Sequence, residues 1–168
     1  MSHTNTAARL RVPLGFVCGI VALALAEPTS QTLMAGAVIA VAGEALRIWA
    51  AGHLEKSREV TTSGPYRFTR HPLYVGSTIM AIGFVIAANS FAVAIVALVY
   101  FAVAYTAAIR REEAFLTEAF GDAYPDYKAG RLGGVARAFS LERAMRNREY
   151  RAAAGLAIAL TILAIKLT

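Results

Sequence analysis

The sequence predicts an all-α fold, a polytopic transmembrane helical bundle of five spans whose cytoplasmic helix and loops form any site. Three observations carry this. Of 168 residues, 57% are hydrophobic and only 17% are charged. A soluble chain of this length has too little interior to hide so much apolar surface, and mean hydropathy is +0.51. Uncharged apolar runs recur, several near the roughly 20 residues that cross a hydrocarbon core of about 30 Å. The basic residues flank these runs unevenly, as topology signals do. The same composition excludes a disordered chain. The single cysteine, Cys18, excludes a disulfide scaffold. A net charge of +6 suits nucleic acid or anionic lipid. With no nucleic-acid motif present and the charges at the ends of apolar runs, anionic lipid is the expected partner and nucleic acid is not.

The first run covers residues 12–26 and closes at Glu27-Pro28. It is short, but Leu10 and the flanking Arg9 and Arg11 extend it by snorkelling. It resembles a signal peptide, yet lacks a small-x-small cleavage site, and is read as a retained first helix. The second run, 30–54, carries Glu44 and Arg47. The stretch 71–109 is free of Asp, Glu, Lys and Arg and too long for one span. Asn89-Ser90 divides it into a tight hairpin with arms at 73–88 and 91–109. The last run, 152–165, is extended by Lys166.

Starting inside and crossing five times, only Lys166 among the 17 Lys and Arg residues falls outside. The outer connections, 27–31 and 89–90, are minimal. Segments 55–70 and 110–151 are then cytoplasmic, and chemistry is expected there, at the inner membrane boundary. Residues 1–54 form two N-terminal spans, 55–128 a catalytic core with the hairpin, and 129–168 a basic interfacial segment with the last span. Within that last part, 130–134 reads as a loop. Residues 139–150 read as an amphipathic helix capped by Ser140, with Leu141 and Met145 on one face, lying on anionic lipid.

No dinucleotide fingerprint, P-loop, nucleophile elbow or metal-spaced Cys/His set is present. Of the three histidines, His3 lies in a tail and His53 at a helix end, where it reads as structural or solvated. His71 lies in the densest motif, Ser63-Gly-Pro-Tyr-Arg-Phe-Thr-Arg-His-Pro-Leu-Tyr74 followed by Val75-Gly76. Gly64-Pro65 is a turn signal and Pro72 starts a helix with His71 near its cap. Free N–H groups at that start, with Arg67, Arg70 and His71, suit a carboxylate or a phosphate, and Tyr66 and Tyr74 offer flat walls. The alternative is a loop whose arginines anchor to lipid phosphates.

A second constellation is Arg110-Arg111-Glu112-Glu113, running on to Gly121, an expected helix stop. Arg110, Glu113, Leu116 and Phe120 share a face, so Glu113 needs a partner. That partner is Arg110, Arg70 or a ligand ammonium. A site for both a carboxylate and an ammonium suits an amino-acid moiety. Glu44 and Arg47, three apart within a span, pair on one face. Such intramembrane charges point to function by default, with helix locking as the alternative.

These motifs resemble the isoprenylcysteine carboxyl methyltransferase and phospholipid methyltransferase group of membrane methyltransferases. The resemblance rests on GPYRFTRHPLYVG, on REEAFLTEAFGDAYPDYK after one hairpin, and on RIWAAGHL upstream, covering about residues 44–128. It implies S-adenosyl-L-methionine as cofactor, no metal, and a lipophilic methyl acceptor entering from the bilayer to a site on the cytoplasmic side. The acceptor is an isoprenylcysteine-like carboxylate or another membrane-partitioned molecule, with a phospholipid amine as the alternative. A non-catalytic scaffold that keeps the fold is an alternative of another class. Carried over, Tyr66, Arg70, His71, Pro72, Tyr74 and Tyr124 would line the cofactor site, Gly76 would allow close approach, and Glu113 would take the methionine ammonium. Tyr124 and Tyr127 would close the site. Arg47 and Trp49 would contact the acceptor, and Glu112 or a tyrosine would take a proton from an amine or thiol. The sequence departs from the group at Ala108, where many relatives carry an arginine. Arg110 and Arg111 are the candidates to take its part. A basic stretch and a fifth apolar run replace the usual ending.

Overall fold

The structure, a computed structural model, describes residues 3–56, 58–131 and 137–167, with side chains from residue 14 onward. All regular structure among these residues is helical. The expected loop at 130–134 falls mostly outside them.

Helix α1, His3–Leu25, starts earlier than the apolar run, so His3 belongs to a helix rather than a tail. The turn after it ends at Thr29, which caps α2, Ser30–Ala51, through a reciprocal pair of bonds with Thr32. Helix α3 covers Pro72–Ala88 with proline in its first turn. Asn89 ends it in the left-handed region, φ 50°, and Ser90 leads into α4, Phe91–Phe120. The hairpin thus turns at the residues the sequence marked. Its second arm does not stop at the charged boundary: α4 runs 30 residues, about 45 Å, until Gly121 at φ 52°. A short α5, Ala123–Lys128, folds back. Helix α6 is Leu141–Arg146, and α7 is Tyr150–Ile165.

Ser140 does cap α6, its Oγ accepting from Arg143 N at 3.2 Å. The expected helix 139–150 is broken, however. Asn147 Nδ2 donates to the Ala51 and Leu54 carbonyls at 2.9 Å each, and Arg148 has φ 62°. Anchoring Asn147 to the end of α2 reorients the chain before α7 begins.

The bundle is organised on α2 and α3, which pack antiparallel along their length. Gly36, Ala40 and Gly43 on α2 meet Gly76, Met80, Gly83 and Ala87 on α3, backbone to backbone. A Cβ at Gly43 would lie 2.5 Å from Met80 N and 2.6 Å from the Gly76 carbonyl. Such small-residue seams bring helices close where lipid, not water, surrounds them.

At one end of the bundle the two tight turns bond to each other: Glu27 N to Ala88 O at 2.8 Å, and Asn89 Nδ2 to Glu27 O at 3.1 Å. Lys166 at the end of α7 donates to the carbonyls of Leu23, Ala24 and Ala26, satisfying the unpaired end of α1. Ala22, Ala26, Ala87, Ala88, Val93 and Leu163 form the core here. Large apolar side chains instead point outward, among them Phe16, Ile20, Met34, Val38, Leu98, Val103 and Ile158. By length and composition, Ser30–Ala51 and Phe91–Phe120 are long and apolar enough to cross a membrane. Leu14–Leu25, Pro72–Ala88 and Tyr150–Ile165 are shorter apolar helices. An apolar exterior of this extent fits a helical bundle in a membrane.

Candidate active site

The opposite end of the bundle carries nearly every polar motif. The chain leaves α2, turns through a 3-10 segment at Gly64–Arg67, and enters α3 at Pro72. The turn is built around His53. Its ring is buried, Nδ1 lies 3.1 Å from Ser63 Oγ, and it packs against Gly64, whose φ of 57° and lack of Cβ leave room for it. His53 is therefore structural. Burial, then Arg143 and Arg137, hold its pKa below 6.5.

The segment after α5 closes the other flank. Arg143 Nε bonds Glu55 Oε1 at 2.8 Å, Arg137 Nη1 bonds Glu59 at 2.6 Å, and Ser140 N donates to Gly52 O at 3.1 Å. Residues 52–56 and 58–61 are thereby held as a wall.

Between this wall, the start of α3, the polar end of α4 and α5 lies a cavity of about 770 Å³. That is within the range of small-molecule sites. Arg47, Tyr66, Arg70, His71, Pro72, Tyr74, Arg111, Glu112, Tyr124 and Tyr127 all line it. Residues from three sequence motifs are thus brought together.

The two arms of the hairpin meet at this mouth. His71 Nε2 lies 3.3 Å from Glu113 Oε1, across 42 positions of sequence. Lys128 Nζ donates to Glu113 Oε2 at 3.0 Å, and Arg70 Nη1 stands 3.8 Å from Oε1. Glu113 thus gathers His71, Lys128 and Arg70, and its carboxyl is held below the ordinary range, first by Lys128 and then by His71. Of the partners offered by sequence, the structure selects Arg70 over Arg110, and adds Lys128. Arg110 is exposed and does not line the cavity, because helical geometry turns it away from Arg111 and Glu112.

Tyr124 is buried, and Tyr127 Oη donates to the Tyr66 carbonyl at 2.6 Å. These contacts lay α5 across the cavity. Burial raises the phenols of Tyr66, Tyr124 and Tyr127 above the usual range. They stay protonated, which removes these three as candidate bases. Among the described residues, His71 Nδ1 is a buried polar atom without a hydrogen-bond partner.

Arg47 lines the inner part of the cavity, but its main partner was not visible in the sequence. Its Nε bonds Glu149 Oε1 at 2.7 Å, from the turn before α7. Glu44 Oε2 is 3.5 Å away, and Nη1 donates to Ser77 Oγ. Two other expectations land elsewhere. Gly76 faces α2, not the cavity, and its missing Cβ makes room for the Arg47 stem and the Gly43 carbonyl. Trp49 is half-exposed, stacked edge-on to His53 with centroids 6.4 Å apart, and does not line the cavity. It lies two positions after Arg47, which rotates it to another face of α2.

Residues 45–123 match the phospholipid methyltransferase family. The chain is 39% identical over 97 residues to the cobalt-zinc-cadmium resistance protein CzcN of Cupriavidus metallidurans, covering 56% of this chain and 44% of that protein. It is 35% identical over 96 residues to the nickel-cobalt-cadmium resistance protein NccN of Alcaligenes xylosoxydans xylosoxydans, covering 56% and 43%. With the protein-S-isoprenylcysteine O-methyltransferase of Schizosaccharomyces pombe it shares 30% identity over 122 residues, covering 73% and 47%. The matches thus span less than half the length of each relative. No solved structure matches.

Proposed function

Because the chain belongs to the isoprenylcysteine carboxyl methyltransferase and phospholipid methyltransferase group, we propose that it transfers a methyl group from S-adenosyl-L-methionine to a lipophilic acceptor. We read it as an integral membrane protein of five spans, with the cavity on the cytoplasmic side and the acceptor arriving from the bilayer. The carrying observation is the polar cavity where the hairpin ends meet, with a buried polar atom, His71 Nδ1, lacking a partner. Buried polar groups are nearly always bonded, so an unpartnered one on a residue that lines the cavity points to a ligand.

The residues present fit the cofactor. Arg70 and His71, beside the free N–H groups of α3, suit its carboxylate. The acidic pair suits its ammonium. Glu112 lines the cavity directly, while Glu113 keeps Arg70, His71 and Lys128 in place. Tyr66, Tyr74 and Tyr124 offer flat faces to the remainder. When bound, the cofactor supplies an electrophilic methyl group on a sulfonium.

The chain then has little chemistry left to perform. Its contribution is to hold the acceptor in line and keep water out. Tyr127 and Tyr124 cover the mouth, and Leu73, Phe115 and Leu116 add apolar lining suited to a lipid tail. An acceptor that must lose a proton finds Glu112 as base. Calorimetric titration of S-adenosylhomocysteine into the detergent-solubilised chain tests the reading, together with methyl incorporation into membrane lipid extracts. Binding and incorporation are expected. Absence of both refutes the proposal, and binding without incorporation supports the scaffold alternative.

A further inference from the structure

We propose that Glu149, acting through Arg47, makes the inner end of the cavity select against a negatively charged acceptor head group. The inner end lies between the helices, where Arg47 of α2, Ser77 of α3 and Ala104, Tyr105 and Ala108 of α4 line it. Arg47, Lys56, Arg70 and Arg111 are the cationic residues that line the cavity, and of these Arg47 is the one bonded to Ser77.

That charge is already matched. Arg47 Nε bonds Glu149 at 2.7 Å, stands 3.5 Å from Glu44, and its Nη1 donates to Ser77. Both carboxylates are buried, Glu44 at 5% and Glu149 at 7% exposure. Two carboxylates facing one guanidinium leave the cluster negative when both are ionised and neutral when one holds a proton. Neither state attracts an anion, and a third carboxylate would find the Arg47 charge already matched by two buried carboxylates. The facing wall agrees independently. Ala108, buried at 7% exposure, gives the lining a methyl group, and the α4 cation that lines the cavity, Arg111, stands about one turn further along the helix.

The position of Glu149 is built in. Asn147 is tied to the end of α2 through two carbonyls, and Arg143 to Glu55. The backbone N of Glu149 bonds Ala144 O at 3.1 Å. These bonds fix where its carboxylate points. Glu149 does not line the cavity, so it is a positioning residue that works through Arg47. The acceptor class that follows is a lipophilic molecule with an amine or uncharged head, not a free carboxylate. This deepens the proposed function and rests on it only in taking the inner end as the acceptor's seat.

Two probes with one tail and opposite heads test this, octylamine and octanoate. Their apparent affinities are read from the thermal stabilisation of the full chain in nonionic detergent. The wild type should favour octylamine. Glu149→Gln should move the affinity ratio toward octanoate by about tenfold, the scale of one charge-assisted hydrogen bond. Glu44→Gln/Glu149→Gln should move it further, and Glu149→Asp should restore the wild-type preference. If Glu149→Gln fails to fold, Glu44→Gln must still shift the ratio the same way. A wild-type preference for octanoate, or an unchanged ratio in folded Glu149→Gln or Glu44→Gln, overturns the inference. These are binding readouts. A wild type that binds no S-adenosylhomocysteine refutes the methyl-transfer reading separately.

Discussion

Removing Glu113 should disable the cavity by releasing three side chains at once. In Glu113→Ala, His71, Arg70 and Lys128 lose the carboxylate that gathers them from α3, the preceding loop and α5. Two of the three contacts are within hydrogen-bond distance, 3.3 Å to His71 and 3.0 Å to Lys128. The Arg70 contact at 3.8 Å is a longer ion pair with an exposed partner, and counts for little. Charge-assisted bonds are worth roughly 1.5–3 kcal/mol each, and Glu113 is partly exposed, so the low end applies. One such bond lost at the cofactor's seat corresponds to about tenfold in affinity, and two to about a hundredfold. S-adenosylhomocysteine titrated by calorimetry should therefore bind Glu113→Ala between about ten and a hundred times more weakly than wild type. Glu113→Gln should be nearly as weak, because it keeps the shape without the charge. Lys128→Ala separates tethering from direct contact. It should cost less than tenfold, since it removes one cation and leaves the carboxylate in contact with His71. Wild-type affinity in both Glu113→Ala and His71→Ala would refute the argument that ligand binding depends on the meeting of the hairpin ends.

Three further outcomes follow from the same contacts. Gly43→Leu should lower thermal stability in detergent by about 2 kcal/mol or more, because the new side chain meets α3 backbone that has no slack; an unchanged melting temperature would show that the α2–α3 seam is not close-packed. Because the His53 pKa is lowered on folding, the unfolded chain binds the extra proton. Stability should then fall as pH drops below about 6.5 and level off above it, and His53→Gln should flatten that limb of the denaturation curve. On a Cys18→Ser background, Glu118→Cys should react with a membrane-impermeant maleimide only after cells are opened, and Phe91→Cys in intact cells; the reverse pattern would invert the topology.

The helical character and most of the helix starts and stops were legible in the sequence. Apolar runs, the Asn89-Ser90 break, Pro72 and Gly121 are local signals, each acting on the backbone within a few residues. The site was legible in part for the same reason. Pro72 and the hairpin turn fix where the first arm begins and ends, and the second arm, running back antiparallel, brings Glu113 to His71. What the sequence could not determine are pairings that local periodicity does not encode. Glu149 reaches Arg47 across 102 positions, and Lys128 reaches Glu113 only because α5 folds back after Gly121. Gly76 was legible as a site of close approach, but whether α2 or a ligand approaches it is decided by how two helices face each other. The rotation of α2 that turns Arg47 into the cavity and Trp49 out of it is likewise set by the glycine seam with α3. Composition and periodicity fix which residues lie in each helix, whereas the partner each charge finds is fixed by helix rotation and close approach in three dimensions.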